Sequence, residues 1–209
     1  MNYIISKESF DKCEICPYHE SGHIVFAYLC GYTCLEVQLI NKLTPEGFSS
    51  YAMIDYGKDA FIASKMIGLN TDASFFASLS LSEKLEAVEI GQRLSRIYMG
   101  GSVATAVFLN NGNPNIPLPI QLDYTDLFRV ENIQNITNDL SKNTEEDLIE
   151  HTLKDVVYSF HSIHIWNAVD ELAKRLLDTN HLEKGDIEEC LMPFGIISDK
   201  ENLFMQLSN

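Results

Sequence analysis

Hydrophobic positions recur along this chain in two rhythms, one of helices and one of strands. Residues 24–29, Ile24-Val25-Phe26-Ala27-Tyr28-Leu29, are apolar almost all round, the mark of a helix buried on every side. Pro17 suits the first position of that helix, where the missing N–H has no intrahelical partner anyway. Gly31 is placed to close it in a left-handed cap. A central helix is therefore expected over residues 17–30. Residues 35–40 and 47–54 then read as strands, with Thr44-Pro45-Glu46-Gly47 as the turn, giving a hairpin or small sheet. An exposed edge there would suit an extended peptide, although a covering sheet is the commoner use.

Farther along, helical periodicity dominates. Residues 55–80 show helical patches, such as 60–67, and no chemical motif. Ser80-Leu81-Ser82-Glu83 is a capping box, and Leu85, Val88, Leu94, Ile97 and Tyr98 continue a helical stripe to Gly100-Gly101, with more helix over 102–109. Residues 110–122 contain three prolines in a Pro-rich loop, because proline removes a donor and biases its predecessor away from helix. Asp126, Val130, Ile133, Thr137 and Leu140 again follow helical spacing. Thr144-Glu145-Glu146-Asp147 opens a long helix or helical hairpin running through Leu148, Leu153, Val156, Phe160, Ile163, Trp166, Val169, Leu172 and Leu176. A short helix over 186–191 ends the pattern, and residues 1–16 read as a lead-in segment. The fold class is mainly α, in a single domain over 1–209, with a small sheet near the central helix.

Composition narrows the partners. The chain of 209 residues has a formal net charge of −15, which would repel nucleic-acid backbones and anionic membranes but not a peptide. No apolar run approaches the ~20 residues of a membrane span, and no export signal opens the sequence, so a soluble cytoplasmic protein is expected. Five cysteines in such a chain read as reduced thiols. Cys13-x-x-Cys16 and Cys30-x-x-x-Cys34 look like halves of a zinc site, yet about 14 helical rises, roughly 20 Å, separate Cys16 from Cys30. Incidental or buried thiols are the better reading.

The chemistry concentrates in His19-Glu20-Ser21-Gly22-His23. Residues four apart share one helix face, so both imidazoles can meet one metal ion while Glu20 stands beside it as a base. A chain of this length carries that spacing by chance only on the order of once in a hundred or more. The third ligand is open. Phe26 and Leu29 exclude the metzincin pattern, leaving a helix-borne Glu83, Glu86 or Glu89, or Asp126. Asp126 points the way its apolar stripe points, where a carboxylate needs a partner; a helix-start Asp held by backbone amides accounts for it equally well. His161 and His164 are better read as surface or packing residues.

Taken in order, Tyr18-His19-Glu20-Ser21-Gly22-His23, the strand pair, Met99-Gly100-Gly101-Ser102-Val103-Ala104, Tyr124-Thr125-Asp126-Leu127-Phe128-Arg129 and residues 176–186 resemble the peptidase domain of FtsH-type AAA+ zinc proteases over nearly the whole chain. The resemblance implies a zincin-like fold, a Zn2+ ion held by His19, His23 and Asp126, Glu20 as general base, and a metalloendopeptidase acting on peptides or unstructured polypeptide. The chain has no phosphate-binding loop, so the family's ATPase would be a separate partner, and its ring assembly would imply a homo-oligomer. Thr105 stands where the family's Gly-Gly-x-x-Ala-Glu signature ends in Glu, which puts support of the site in question. The long separation of His23 from Asp126 implies insertions around 55–80 and in the Pro-rich loop, either placed to cover the cleft. The competing reading is a catalytically silent zinc-binding adaptor or regulatory protein that retains the fold.

Overall fold

In the computed structural model, which describes residues 3–6, 15–44, 47–68, 73–141 and 148–196, a short strand β1 (Tyr3–Ser6) precedes the central helix α1 (Ile15–Leu29). Strands β2 (Thr33–Thr44) and β3 (Gly47–Asp55) follow, then short helices α2 (Ala60–Ile67) and α3 (Ala73–Ser78) and the long α4 (Leu81–Leu109). Strand β4 (Ile120–Asp123) leads directly into α5 (Tyr124–Ser141), and α6 (Leu148–Ser159) and α7 (Ile163–Thr179) form a helical hairpin. Strand β5 (His181–Glu183) and helix α8 (Lys184–Leu191) complete the described elements. The protein is mainly helical, with a three-stranded antiparallel sheet in the order β3-β2-β5 and a parallel β1-β4 pair.

Helix α1 is the axis of the core. Ile24, Val25 and Ala27 are fully buried, as the all-round apolar run requires, and the helix packs against α4, α7 and the β2–β3 hairpin. Gly31 ends it with φ +81°, in the left-handed region that glycine enters at no steric cost. The helix begins at Ile15 rather than Pro17, still within the first turn, where a missing N–H costs nothing. Its closest neighbour is α4, and the two backbones touch. A Cβ built on Gly22 would lie 2.4 Å from the Gly100 carbonyl oxygen, and one on Gly100 would lie 2.9 Å from the Gly22 oxygen.

Helix α4 runs unbroken across Gly100-Gly101 and is capped by the Ser80/Glu83 box. Its stripe departs from expectation at the start, where Leu85 is 61% exposed and Ala87 and Ile90 form the buried face instead. Val130, Ile133 and Thr137 of α5 face the core as their spacing predicts. The α6–α7 run is a hairpin and not one helix, turning at Phe160-His161-Ser162, which leaves Ile163 exposed.

Other expectations are corrected by long-range pairing. Residues 120–122, read as loop, belong to β4, which lies beside β1 in the segment read as lead-in. Residues 180–183 include a strand, β5, that pairs with β2 between the last two helices. The last helix starts at Lys184, where Glu183 and Asp186 form a capping box. Helices α2 and α3 pack on α5 and do not cover the cleft. The turn residues Pro45 and Glu46, the helix opening Thr144 to Asp147, Cys13 and the tail beyond Ser198 lie outside the described residues. No helix of the described residues is long and apolar enough to cross a membrane.

The backbone contact makes Gly22 irreplaceable. Gly22→Ala is expected to cost about 1–3 kcal/mol through overpacking, despite the better helix propensity of alanine. Gly185→Ala, in α8 with open space around it, should be neutral or stabilising by up to ~1 kcal/mol. Urea titration of both variants checks the contrast, and equal effects would show that the α1–α4 contact is not tight.

Candidate metal centre

The segment that begins α1 carries His19 and His23 one turn apart on the face turned toward α4 and α5. Their Nε2 atoms are 3.0 Å apart. Asp126, in the first turn of α5, completes a triangle, with Oδ2 3.1 Å from His19 Nε2 and 3.2 Å from His23 Nε2. Among the described residues, this is the group of three side chains able to share an ion. Glu83, Glu86 and Glu89 take no part in it, and His161 and His164 are exposed on the α6–α7 hairpin.

The two accounts of Asp126 are separated by its neighbour Asp123. The amides that open α5 are satisfied by Asp123, whose Oδ1 accepts from Thr125 N at 2.8 Å and from Asp126 N at 3.1 Å. Asp126 is thereby released from capping. Its Oδ2 is buried and meets no amide or hydroxyl, facing only the two imidazole Nε2 atoms, so a proton or a cation must share that space.

The imidazoles are oriented for ligation. His23 Nδ1 lies 2.7 Å from the Ile97 carbonyl oxygen; a carbonyl has no proton to give, so Nδ1–H donates and the lone pair of the neutral ring is left on Nε2. The Thr105 hydroxyl donates to Gly101 O at 3.0 Å and lies 3.5 Å from His19 Nδ1. The Thr105 side chain therefore sits beside the outer nitrogen of that ring. A tetrahedral ion with bonds of ~2.05 Å holds its ligand atoms about 3.3 Å apart. The observed separations of 3.0–3.2 Å fit such an ion.

One stretch of α4 braces nearly every part of this centre. Ile97 holds His23, and the Tyr98 ring lies edge-on to it, with centroids 6.3 Å apart. A Cβ on Gly101 would lie 2.5 Å from His23 Cε1 and 2.9 Å from His19 Cε1, so the second glycine makes room for the imidazoles as Gly100 makes room for α1. Ser102 Oγ accepts from Asp123 N at 3.0 Å, fixing the start of α5. Sequence reasoning found the Gly-Gly pair but not these duties of Ile97, Ser102 and Thr105.

Glu20 is buried beside the histidines and receives a hydrogen bond of 2.6 Å from Ser50 Oγ on β3. Ser50 was not legible as a site residue, since nothing in a strand sequence marks which hydroxyl meets a helix. The histidines, Glu20, Ser50 and Asp126 all line one cleft of about 420 Å³, walled by β3 on one side and by α4 and α5 on the other, a size usual for ligand sites. Tyr56 is the sole contribution from residues 55–80 to that lining, and the Pro-rich loop gives none. Of the cysteines, Cys16 also lines the cleft, Cys30 and Cys34 are buried thiols bonded to backbone carbonyls, and burial pushes Cys34 up to about 12 and Cys30 to about 11. Among the described residues, the cysteines do not gather into a metal-binding group.

Compared with protein families, with curated proteins and with solved structures, the chain gives no match in any of the three.

Without a cation the triangle holds protons. Burial works against charge on His23, but Asp126, with smaller help from Glu20 and the Ile97 carbonyl, raises the imidazole to about 9. Burial likewise pushes the Asp126 carboxyl up, and His23 and His19 outweigh it, holding it well below the usual carboxylate range. His23 is raised above its unfolded value, so its stabilisation of the metal-free fold is complete below about 6.5 and is lost as pH rises through about 9.

A divalent ion must displace the shared proton, so calorimetric titration with Zn2+ at pH 7.5 in two buffers of different ionisation enthalpy should report release of about one proton per ion. Identical enthalpies in the two buffers would contradict the assignment. Asp126→Ala should lower Zn2+ affinity by about 100-fold or more, whereas Asp123→Ala should cost about 1 kcal/mol of stability as a lost cap with a much smaller effect on affinity. Equal losses would put the ligand at the wrong aspartate.

Proposed function

We propose that the protein is a zinc-dependent metallopeptidase that hydrolyses peptides or unstructured polypeptide. The observation that carries this reading is the convergence of His19 Nε2, His23 Nε2 and Asp126 Oδ2 to within 3.0–3.2 Å of one another, next to a buried glutamate in an open cleft. Three protein ligands leave a fourth position to water, as in catalytic rather than structural zinc sites. The resemblance to FtsH-type peptidase domains assigns the same four residues to the same roles.

When bound, the metal supplies a Lewis acid that lowers the pKa of water toward ~7 and stabilises developing negative charge. The protein's own groups manage orientation and protons. Ser50 ties up Oε1 of Glu20, leaving Oε2 to accept a proton from the attacking water and afterwards to deliver it to the leaving amine. The hydrogen bond also keeps the carboxylate in one rotamer beside the site, so the base is positioned before substrate arrives. Strand β3 lies at the edge of its sheet, opposite β2, among the described residues, and contributes Ser50, Tyr51, Ala52 and Ile54 to the cleft. Its free backbone groups suit an extended peptide by strand addition. A folded protein would not present such a segment, which favours peptides and unfolded chains, delivered by a separate ATPase or acting unaided.

The test is direct. Zn2+-loaded protein should cleave casein or a fluorogenic peptide, Glu20→Gln should abolish cleavage while retaining one zinc per chain, and Ser50→Ala should reduce kcat by about tenfold with little change in zinc content. Cleavage that survives Glu20→Gln would exclude the mechanism. Zinc binding with no cleavage by the parent protein would favour the silent adaptor instead.

A further inference from the structure

We propose that Arg129 is the carboxylate anchor of this cleft, the residue that selects and registers a peptide through a negatively charged group, either its terminal carboxylate or an Asp or Glu side chain. The proposal rests on the peptidase reading of the same site and adds to it the chemical class of substrate.

The chain is rich in carboxylates and poor in cations. It has 30 acidic residues against 15 lysines and arginines, so an arginine without a carboxylate is unexpected. Three of its arginines have one: Arg93 meets Asp59 at 3.0 Å, Arg96 meets Asp155 at 3.0 Å, and Arg175 meets Glu189 at 2.9 Å. Arg129 forms no ion pair among the described residues, although it lines the same cleft as Glu20, Asp123 and Asp126. Each of those carboxylates is engaged elsewhere, with Ser50, with the first amides of α5 and with the histidines. No other Lys or Arg among the described residues lines the cleft.

The guanidinium is also held in place. Its Cζ lies over the Tyr98 ring, 5.1 Å from the centroid, and Tyr98 is itself buried, hydrogen-bonded to Tyr56. A cation–π contact of this kind consumes none of the guanidinium N–H donors, which can then meet a planar carboxylate in the bidentate geometry arginine favours. Arg129 lies three residues beyond Asp126 on α5, a spacing that puts both on one helix face, so an anion on Arg129 would sit within the peptide-binding cleft and not outside it. The immobile platform lowers the entropic cost of ordering the side chain on binding.

The experiment separates this assignment from turnover. Binding is measured by isothermal titration calorimetry with the Zn2+-loaded Glu20→Gln protein and three unlabelled, N-acetylated octapeptides of Ala, Ser and Leu. One ends in a free carboxylate, one is amidated, and one is an amidated pool with a single inner Glu. One carboxylate probe is expected to bind about tenfold or more tighter than the neutral amide. The preference should shrink to within about twofold when Arg129→Gln is added, and to a similar extent with Arg129→Met, which retains packing of the stem on Tyr98. Preference for the free acid identifies terminal recognition, and preference for the inner Glu identifies side-chain recognition. Equal binding of all three probes, no binding of any, or a preference untouched by both variants would overturn the proposal. Carboxylate-selective binding by a parent protein that cleaves nothing would retire the peptidase reading and leave the anchor standing.

Discussion

The contact between the backbones of α1 and α4 at Gly22 and Gly100 is the constraint on which the rest of the structure depends. Two helices meet this closely only where neither carries a side chain, and the crossing sits one residue from His23 and one from Gly101. At that separation a single α4 segment reaches both imidazoles. Ile97 takes the outer nitrogen of His23, Thr105 faces that of His19, and Gly101 gives both rings room. Were the helices a methyl group farther apart, these contacts would open together, because they share one rigid element. The cost of glycine within a helix, about 1 kcal/mol against alanine, is offset by the close packing it allows.

Charge is organised around the same place. Buried carboxylates are tolerable only when paired, and each of the buried acids has a defined partner: Glu20 has Ser50, Asp59 has Arg93 and Tyr32, and Asp126 has two imidazoles. The division of labour between Asp123 and Asp126 is the telling one. Both lie at the start of α5 and both suit a helix N-terminus, but a helix start needs only one cap. The residue at the cap position takes the amides, and the one a turn later faces inward to the imidazoles. In a strongly acidic protein, the cation of the cleft that lacks an internal partner is then the natural point of contact for an acidic ligand.

Part of the centre was legible from residue order because it is local. Two histidines four apart with a glutamate between them declare their shared face through helical periodicity alone, and the phase of Val130, Ile133 and Thr137 made Asp126 one of two open readings, an inward carboxylate or a helix cap. What stayed hidden was everything that arrives from a distance. Ile97 is 74 residues from His23, Thr105 is 86 from His19, and Ser50 is 30 from Glu20. No periodicity links such positions, and each is individually an ordinary helix or strand residue. The β1–β4 pair escaped for the same reason, since a four-residue strand has too little pattern to announce a parallel neighbour more than a hundred residues away.

By itself, then, the sequence determined the helical class, the buried axis at α1 with its left-handed end at Gly31, the hairpin beside it, and the candidate pair His19 and His23 with Glu20 between them, because these follow from local sterics, apolar periodicity and donor type. Only the tertiary structure decided which aspartate turns inward, which hydroxyl meets Glu20, why the glycines stand where they do, and that Arg129 enters the cleft with no ion pair among the described residues. Those are properties of surfaces brought together by folding. A side chain's partner is set by the element packed against it, and that element is chosen by the burial of the whole core.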